Sequence, residues 1–527
     1  MKLSGLGAWN LYFLIKFVLF VRGDITFHFL PNLALFTFLL LTFDKPLLER
    51  TKHVVAGMIA AALLYYDSWL PPISRLTKQI SNVKDFSLDY FFEIVARIVS
   101  VDLVLAAFVA VVLYVFSAKW LRYTSISLFG FCYVYWFSLA TNSVNESQSS
   151  YADTVKDNQQ VTHVNVGEPD VEVTPDQRLA RFYQQQSILS SDFPSRIQGQ
   201  PFDVLVLNIC SLATADLNAV GTDIDTLYQD FDILFNDFNS ATSYSGPAAI
   251  RLLRASCGQT SQAKLFEPAA KQCYLFDNLA NLGYETSVAM NHDGHFDDFK
   301  GLLNSYGGIT VPALDFTGLS AAQYGFDGKP IYSDADILTR WLDAQASNSP
   351  PRALYYNSIS LHDGNQIAGR SRRSSIDSYP QRQQQLFAGI NDFIATLEQQ
   401  QRNTLLIVVP EHGAALEGDK VQFSGLREIP SPSIVSVPTA VKFIGPNIKS
   451  NGLIKVTEST SYFALSELIS RALYSDVFAG GRAITSLLEN LPTTAKVAEN
   501  ADTVMMYIEG KPYIQLDGEQ WQPYPEN

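Results

Sequence analysis

The chain has 527 residues, too many for one domain, and its net charge of −14 at pH 7 is unevenly divided. Residues 1–141 carry 12 basic and 8 acidic residues, a net +4, which leaves −18 for the remainder. So acidic a large domain argues against nucleic acid as a partner, because phosphates need a basic face.

Five apolar runs stand in the first 141 residues: LGAWNLYFLIKFVLFV, FHFLPNLALFTFLLLTF, HVVAGMIAAALLYYDSWL, VDLVLAAFVAVVLYVF and SISLFGFCYVYWFSLA. Each approaches the ~20 residues that cross a bilayer, and no signal-peptide cleavage site follows the first. They are expected to form a transmembrane domain of five helices over 1–141; the alternative is buried helices of a large soluble protein. With the N-terminus inside, Lys2, Lys45, Arg50, Lys52, Lys119 and Arg122 face the cytoplasm, and Arg22, Arg75, Lys78 and Lys84 lie outside. Everything after the fifth helix is then outside, which in a bacterium with two membranes is the periplasm. Residues 71–97 mix charges with apolar side chains, as an interfacial amphipathic helix or a polar loop would.

Residues 142–200 read as a polar linker containing a short helix around DQRLARFYQQQ. The rest, 201–527, is long enough for its own core. FDVLVLNIC (202–210), ALYYNSISLHD (353–363), TLLIVVPEH (404–412) and TAVKFIG (439–445) are strand-like runs, and 379–401 has helical spacing. The alternation predicts an α/β domain, a mainly parallel sheet flanked by helices. Three strands should then end together, at Cys210, at His362 and Asp363, and at Glu411 and His412. The carboxyl ends of such strands are where ligands bind.

Cys132 falls in an apolar run, which leaves Cys210, Cys257 and Cys273, an odd number for an oxidising compartment. Cys257 and Cys273 bracket a short loop, where a bridge would contribute ~3 kcal/mol. Cys210 is then the odd thiol; otherwise it is a small buried hydrophobe or another cysteine's partner. A thiolate, a glutamate and an imidazole at one rim are ligand types that zinc prefers. A hydroxyl nucleophile is offered by SATSYSGPAAIRLLRA, where Ser245 is placed like an N-cap and Pro247 suits the first turn of a helix. Capping alone also explains that serine. His292 and His295, in NHDGHFDDF, belong to a substrate pocket or to a turn.

Together, NICSLATADL, SYSGPAAIRLLRASCGQTS, YYNSISLHDGN and PEHGAALEGDK with SGLREIP resemble the bacterial cellulose phosphoethanolamine transferases, membrane-anchored members of the alkaline phosphatase superfamily. The resemblance covers nearly the whole chain. It implies an alkaline-phosphatase/sulfatase-like soluble domain in the periplasm, held to the inner membrane by a multi-pass anchor. The implied reaction is zinc-dependent transfer of phosphoethanolamine from phosphatidylethanolamine to glucosyl 6-hydroxyls of cellulose, beside cellulose synthase subunits. By motif, Cys210, Ser245, Glu411 and His412 correspond to the Zn2+ ligands, and Ser245 is also the nucleophile. His362 corresponds to an acid/base or headgroup contact, Arg427 and Tyr244 to substrate contacts, and Cys257 with Cys273 to the family's disulfide. Relatives in the wider superfamily usually have an aspartate or glutamate where this chain has Cys210, and many have a histidine shortly before the Val-Pro of the last sheet strand, where this chain has Ser436, Val437 and Pro438, so one tightly bound zinc is expected. The competing expectations are a transferase acting on lipid A, a phosphodiesterase or sulfatase of the same fold, and a non-enzymatic scaffold of a polysaccharide synthase. The hairpin-like segment 505–524 either covers the site or faces away from it.

Overall fold

The computed structural model describes residues 6–22, 25–68, 87–98, 101–137, 173–345, 350–371, 374–450 and 452–525. The chain forms two compact units, residues 1–76 with 95–172, and residues 77–94 with 173–527.

In the first unit, helices Trp9–Arg22, Phe29–Leu40, Pro46–Asp67 and Val101–Ser117 and a helix over 123–137 sit on the five apolar runs. Phe13, Phe36 and Phe131 meet ring to ring at 5.1–5.5 Å, and Leu35, Leu39, Ala56, Ala60 and Val134 complete that core. Lys16 is buried there but pairs with Asp67 and with Asn32 Oδ1 at 2.7 Å, as a buried charge requires. Among the described residues no helix is long and apolar enough to cross a membrane. Phe29–Leu40 has 12 residues, about 18 Å at the helical rise against a hydrocarbon core of about 30 Å. Pro46–Asp67 is longer but carries Glu49, Arg50 and Lys52 in its opening turns. The ends of the third and fifth runs, residues 71–86 of the mixed segment and 142–172 of the linker lie outside the described residues. The mixed segment ends in the helix Leu88–Ile98.

The second unit begins, after its 77–94 segment, with the helix Pro175–Ser187. Thr174 and Gln177 cap that helix reciprocally at 3.0 and 3.3 Å, which accounts for its start. Fourteen strands follow among the described residues. First come β1 (Asp203–Ile209), β2 (Ile233–Asn239) and β3 (Glu285–Met290), then the short pair β4 (Ala321–Tyr324) and β5 (Pro330–Tyr332). After these come β6 (Arg352–Ser358), β7 (Gln366–Ile367), β8 (Thr404–Pro410), β9 (Ser436–Ile444) and β10 (Ile454–Val456). The last four are β11 (Val497–Asn500), β12 (Thr503–Ile508), β13 (Lys511–Leu516) and β14 (Gln522–Pro523).

Seven strands make one sheet in the order β10-β2-β9-β8-β1-β6-β3; β9 is antiparallel to both neighbours and the others run parallel to one another. Along β1, Val204 and Val206 face one apolar cluster with Ile407 and Val409, while Leu205 and Leu207 face another with Leu406 and Val408. The strand period of two, with both faces buried, is why these stretches read as continuous apolar runs. Helix Ser375–Gln400 covers the second face, beginning four residues before the 379–401 stretch because Ser374 accepts from the Asp377 amide at 3.0 Å.

Three strands of this sheet are not marked by an apolar run. β2 is interrupted by Asn236 and Asp237, where its register against β9 shifts, β3 is a half-exposed edge, and β10 has three residues. In the other direction, the run over 353–363 is too long for its strand. β6 ends at Ser358, and His362 lies in the turn beyond it, where Arg382 donates to the carbonyls of Ser360 and His362 at 2.8 and 3.1 Å.

Candidate active site

β1 is the middle of three neighbours, and its last residue, Ile209, is in register with Pro410 of β8 and Ser358 of β6. Cys210 and Glu411 are therefore the next residues of adjacent strands. Cys210 N–H donates to the Ser358 carbonyl at 2.9 Å, and Glu411 N–H to that of Ile209 at 2.8 Å. The chain turns sharply after Cys210. Ser211 takes φ of 63°, unusual for a residue with a Cβ, and is held there by Tyr379 Oη, which donates to its carbonyl at 2.7 Å. Asp216 ties the loop after Cys210 to the loop after His412, accepting from the amides of Ala213, Ala414 and Leu416 at 2.9, 2.6 and 3.2 Å.

The fourth group comes from the helix Ser245–Leu253. Ser245 is its first residue, not its cap. Tyr244 occupies the cap position and makes no side-chain capping bond, so the Ser245 hydroxyl is not spent on the helix end. Instead Ser245 Oγ lies 3.2 Å from His412 Nε2 and 3.5 Å from Cys210 Sγ. His412 Nε2 is 3.9 Å from Cys210 Sγ and 3.9 Å from Glu411 Oε2. A tetrahedral zinc with ordinary Zn–S, Zn–N and Zn–O bonds has ligand-to-ligand edges of about 3.3–3.6 Å, close to this spacing.

Two further observations fit a cation. Glu411 Oε2 is buried with no hydrogen-bond partner, whereas Oε1 accepts from Asn357 Nδ2 at 2.6 Å. Burial pushes the Glu411 carboxyl up to about 7 and, with the Glu411 charge, the Cys210 thiol up to about 12; burial and Arg427 hold His412 well below the usual histidine range. A metal bound here would displace the Cys210 proton and any proton on Glu411, whereas His412 is already neutral. His412 Nδ1 donates to the Gly413 carbonyl at 2.9 Å, which leaves the lone pair on Nε2, the nitrogen facing Ser245 and Cys210. Cys210, Glu411 and His412 form the one group of three potential His, Cys, Asp or Glu ligands found among the described residues.

The remaining candidates fall in different places. Arg427 Nη1 donates to Ser211 Oγ at 3.2 Å and lies 3.2 Å from His412 Nδ1, at the wall of the same site. Tyr244 Oη donates to Glu428 Oε1 at 2.9 Å. His362 is half-buried, donates from Nδ1 to the Asp363 carbonyl at 2.7 Å and has its ring 5.0 Å from that of Phe326. Burial, then Arg427, pulls it down to about 4, so it is neutral at pH 7 with a lone pair on Nε2. Asp363 is bonded by Tyr90 Oη at 2.8 Å and by Ser375 Oγ. His295 is exposed and pairs with Asp293 at 2.8 Å; His292 is buried behind the site. Cys257 and Cys273 are joined in a disulfide, and Cys210 is a free buried thiol.

Asn500 of β11 was not marked out by its sequence. Its Nδ2 donates to Ser243 Oγ at 2.7 Å and to the Glu428 carbonyl at 2.8 Å, joining the loop before Ser245 to the loop of Arg427. Strands β11-β12-β13-β14 form a separate sheet that buttresses the site loops through β11, and the 505–524 segment supplies β13, β14 and most of β12. No local pattern announces such a residue, because its function is a contact 257 positions away.

The family models for the cellulose biosynthesis protein BcsG match the chain twice, the C-terminal domain over residues 158–521 and the N-terminal domain over residues 9–136. This chain belongs to the BcsG family. It is 39% identical to cellulose biosynthesis protein BcsG of Escherichia coli K12 over 546 residues, covering 99% of this chain and 97% of that protein. The Salmonella typhimurium LT2 protein of the same name is likewise 39% identical, over 545 residues, at the same coverage. Among solved structures, a protein in the alkaline phosphatase superfamily from Vibrio parahaemolyticus is similar at a TM-score of 0.47 and 15% identity, over 66% of this chain and 88% of that one.

Proposed function

We propose that this chain transfers phosphoethanolamine from phosphatidylethanolamine to glucosyl 6-hydroxyls of cellulose, through a covalent phosphodiester on Ser245. The observation that carries the proposal is the Ser245 hydroxyl, set at the start of a helix 3.2 Å from His412 Nε2 and 3.5 Å from Cys210 Sγ, beside the unpartnered Glu411 oxygen. Membership of a family named for cellulose biosynthesis supports the acceptor.

Cys210, Glu411 and His412 would hold one zinc ion, with Ser245 as the fourth ligand. When bound, zinc supplies Lewis-acid chemistry, lowering the pKa of the serine hydroxyl and offsetting charge on the phosphate. Ser245 Oγ then forms a bond to the lipid phosphorus as the bond from phosphorus to the diacylglycerol oxygen breaks. The Ser245 proton is the one available to the leaving oxygen. In the second step a glucosyl oxygen bonds to the same phosphorus and the Ser245 bond breaks. His362, neutral at pH 7, is assigned to relay the proton of that incoming hydroxyl, which ends on the departing Ser245 oxygen and restores the serine hydroxyl. Arg427 and Tyr244 would contact the phosphate and headgroup.

A lipid donor keeps its tails in the bilayer, since each buried CH₂ is worth about 0.8 kcal/mol, so the enzyme must work at a membrane surface. The many exposed apolar side chains on Val101–Ser117, among them Leu105, Phe108, Val112 and Phe116, support a bilayer environment for the first unit. The Cys257–Cys273 disulfide supports an oxidising compartment. Both fit a multi-pass protein of the bacterial inner membrane with its catalytic unit in the periplasm, next to cellulose synthase subunits.

Intact-mass spectrometry of the zinc-loaded protein incubated with phosphatidylethanolamine tests the central step. A gain of one phosphoethanolamine, lost in Ser245→Ala, is expected; an unmodified zinc-loaded protein would overturn the covalent route. Labelled headgroup should then pass to a glucan. Label on lipid A would reassign the acceptor, and free phosphoethanolamine released without any acceptor would make the protein a hydrolase.

A further inference from the structure

Behind the candidate metal ligands, one hydrogen-bond chain crosses the carboxyl ends of the sheet from its edge strand to β8. The Gly294 amide donates to His292 Nδ1 at 3.1 Å. That bond sets the tautomer: the His292 proton is on Nε2, which lies 2.8 Å from Asn357 Oδ1 and donates to it. The carboxamide is then oriented with Nδ2 facing the other way. Its two hydrogens go to Glu411 Oε1 at 2.6 Å and to the Asn208 carbonyl at 3.3 Å. Asn357 is next to last in β6, paired in register with Met290 of β3 and Asn208 of β1, so the sheet itself holds it. His292 and Asn357 are both buried.

His292 Nε2 donates to Asn357 and Asn357 Nδ2 donates on to Glu411, so the chain runs toward that carboxylate. One carboxylate oxygen is occupied by a charge-assisted hydrogen bond, and the other is left bare on the side of Cys210 and His412. We propose, on the basis of the zinc site described above, that Asn357 and, through it, His292 are positioning residues that fix the Glu411 carboxylate for metal binding. Neither belongs to the candidate ligand group of Cys210, Glu411 and His412. Asn357 sets which oxygen faces the cation, and His292 prevents the carboxamide from turning over, because a flipped amide would set its oxygen against the carboxylate and its N–H₂ against the histidine donor.

Zinc affinity of the full-length protein in detergent, measured by competition with a chromogenic chelator, tests the relay without any turnover assay. Asn357→Leu should weaken zinc binding by roughly 10- to 100-fold, the usual effect of removing a group that orients a ligand. His292→Phe should weaken it less, and should add nothing in the Asn357→Leu background, because it acts through that side chain. His292→Gln keeps an N–H near the Nε2 position and should restore binding. A wild-type affinity in Asn357→Leu would overturn the relay, as would an equal His292→Phe effect in both backgrounds. Should Asn357→Leu fail to fold, the His292 pair decides: loss with Phe and recovery with Gln supports the relay, and the same affinity in both overturns it. A wild-type protein that takes up no zinc would overturn the metal site itself and the relay with it.

Discussion

His362 is uncharged in the folded protein at neutral pH, and this has a measurable consequence. Burial and Arg427 pull it from 6.5 down to about 4, so between those values the unfolded chain binds a proton that the native protein does not. Its contribution to stability is therefore present above about pH 6.5 and is lost as the pH falls toward 4. His362→Gln should flatten that part of the acid limb when denaturant midpoints are compared from pH 4 to 7. On the proposed route, where His362 acts on the incoming hydroxyl, the same substitution should slow transfer of the headgroup to the acceptor more than formation of the Ser245 adduct; single-turnover mass measurements separate the two steps. Tyr244 and Ser245 divide one helix start between them. The residue that caps by position has no capping bond, and the serine that looks like a cap is turned to His412.

Two elements owe their placement to links distant from the chemistry. The disulfide Cys257–Cys273 closes a segment directly after the helix that presents Ser245, with a sequence separation of 16. Replacing both cysteines by serine should cost about 3 kcal/mol on the chain-entropy model, read from urea denaturation, while zinc affinity stays at its wild-type value. At the opposite end of the sheet, buried Asp203 at the start of β1 accepts from Arg352 Nε at 2.9 Å and from Arg402 Nε at 2.7 Å. It thereby joins β1 to the start of β6 and to the residues before β8. Asp203→Asn leaves two guanidinium groups short of a carboxylate, the buried one chief among them, and should destabilise by roughly 3–5 kcal/mol in the same assay. Strands buried on both faces, β1 and β8, are legible as apolar runs. The edge strand β3 and the bulged β2 are not, since their partners, not their own side chains, make them strands.

At the scale of the whole molecule, the candidate metal site links folding to composition of the medium. Its ligands come from three separate stretches of the chain, so unfolding destroys it, and zinc at a hundred times its dissociation constant should add about 2.7 kcal/mol of stability. Cys210→Ala should abolish the difference between zinc-supplied and chelator-treated protein in thermal melts. By itself the sequence determined that an apolar N-terminal region precedes an acidic α/β unit, and that Cys210, Glu411 and His412 stand where strands end. Those features are written locally, in apolar periodicity and in polar residues that break it. Tertiary structure alone decided that β9 inserts antiparallel between β2 and β8, that Ser245 is uncapped and turned inward, and that Asp216, Asn500, Asn357 and His292 support the site. The reason is physical: each of these depends on which strands become neighbours and which hydrogen bonds are left over, and a donor in one strand carries no local mark of an acceptor a hundred residues away.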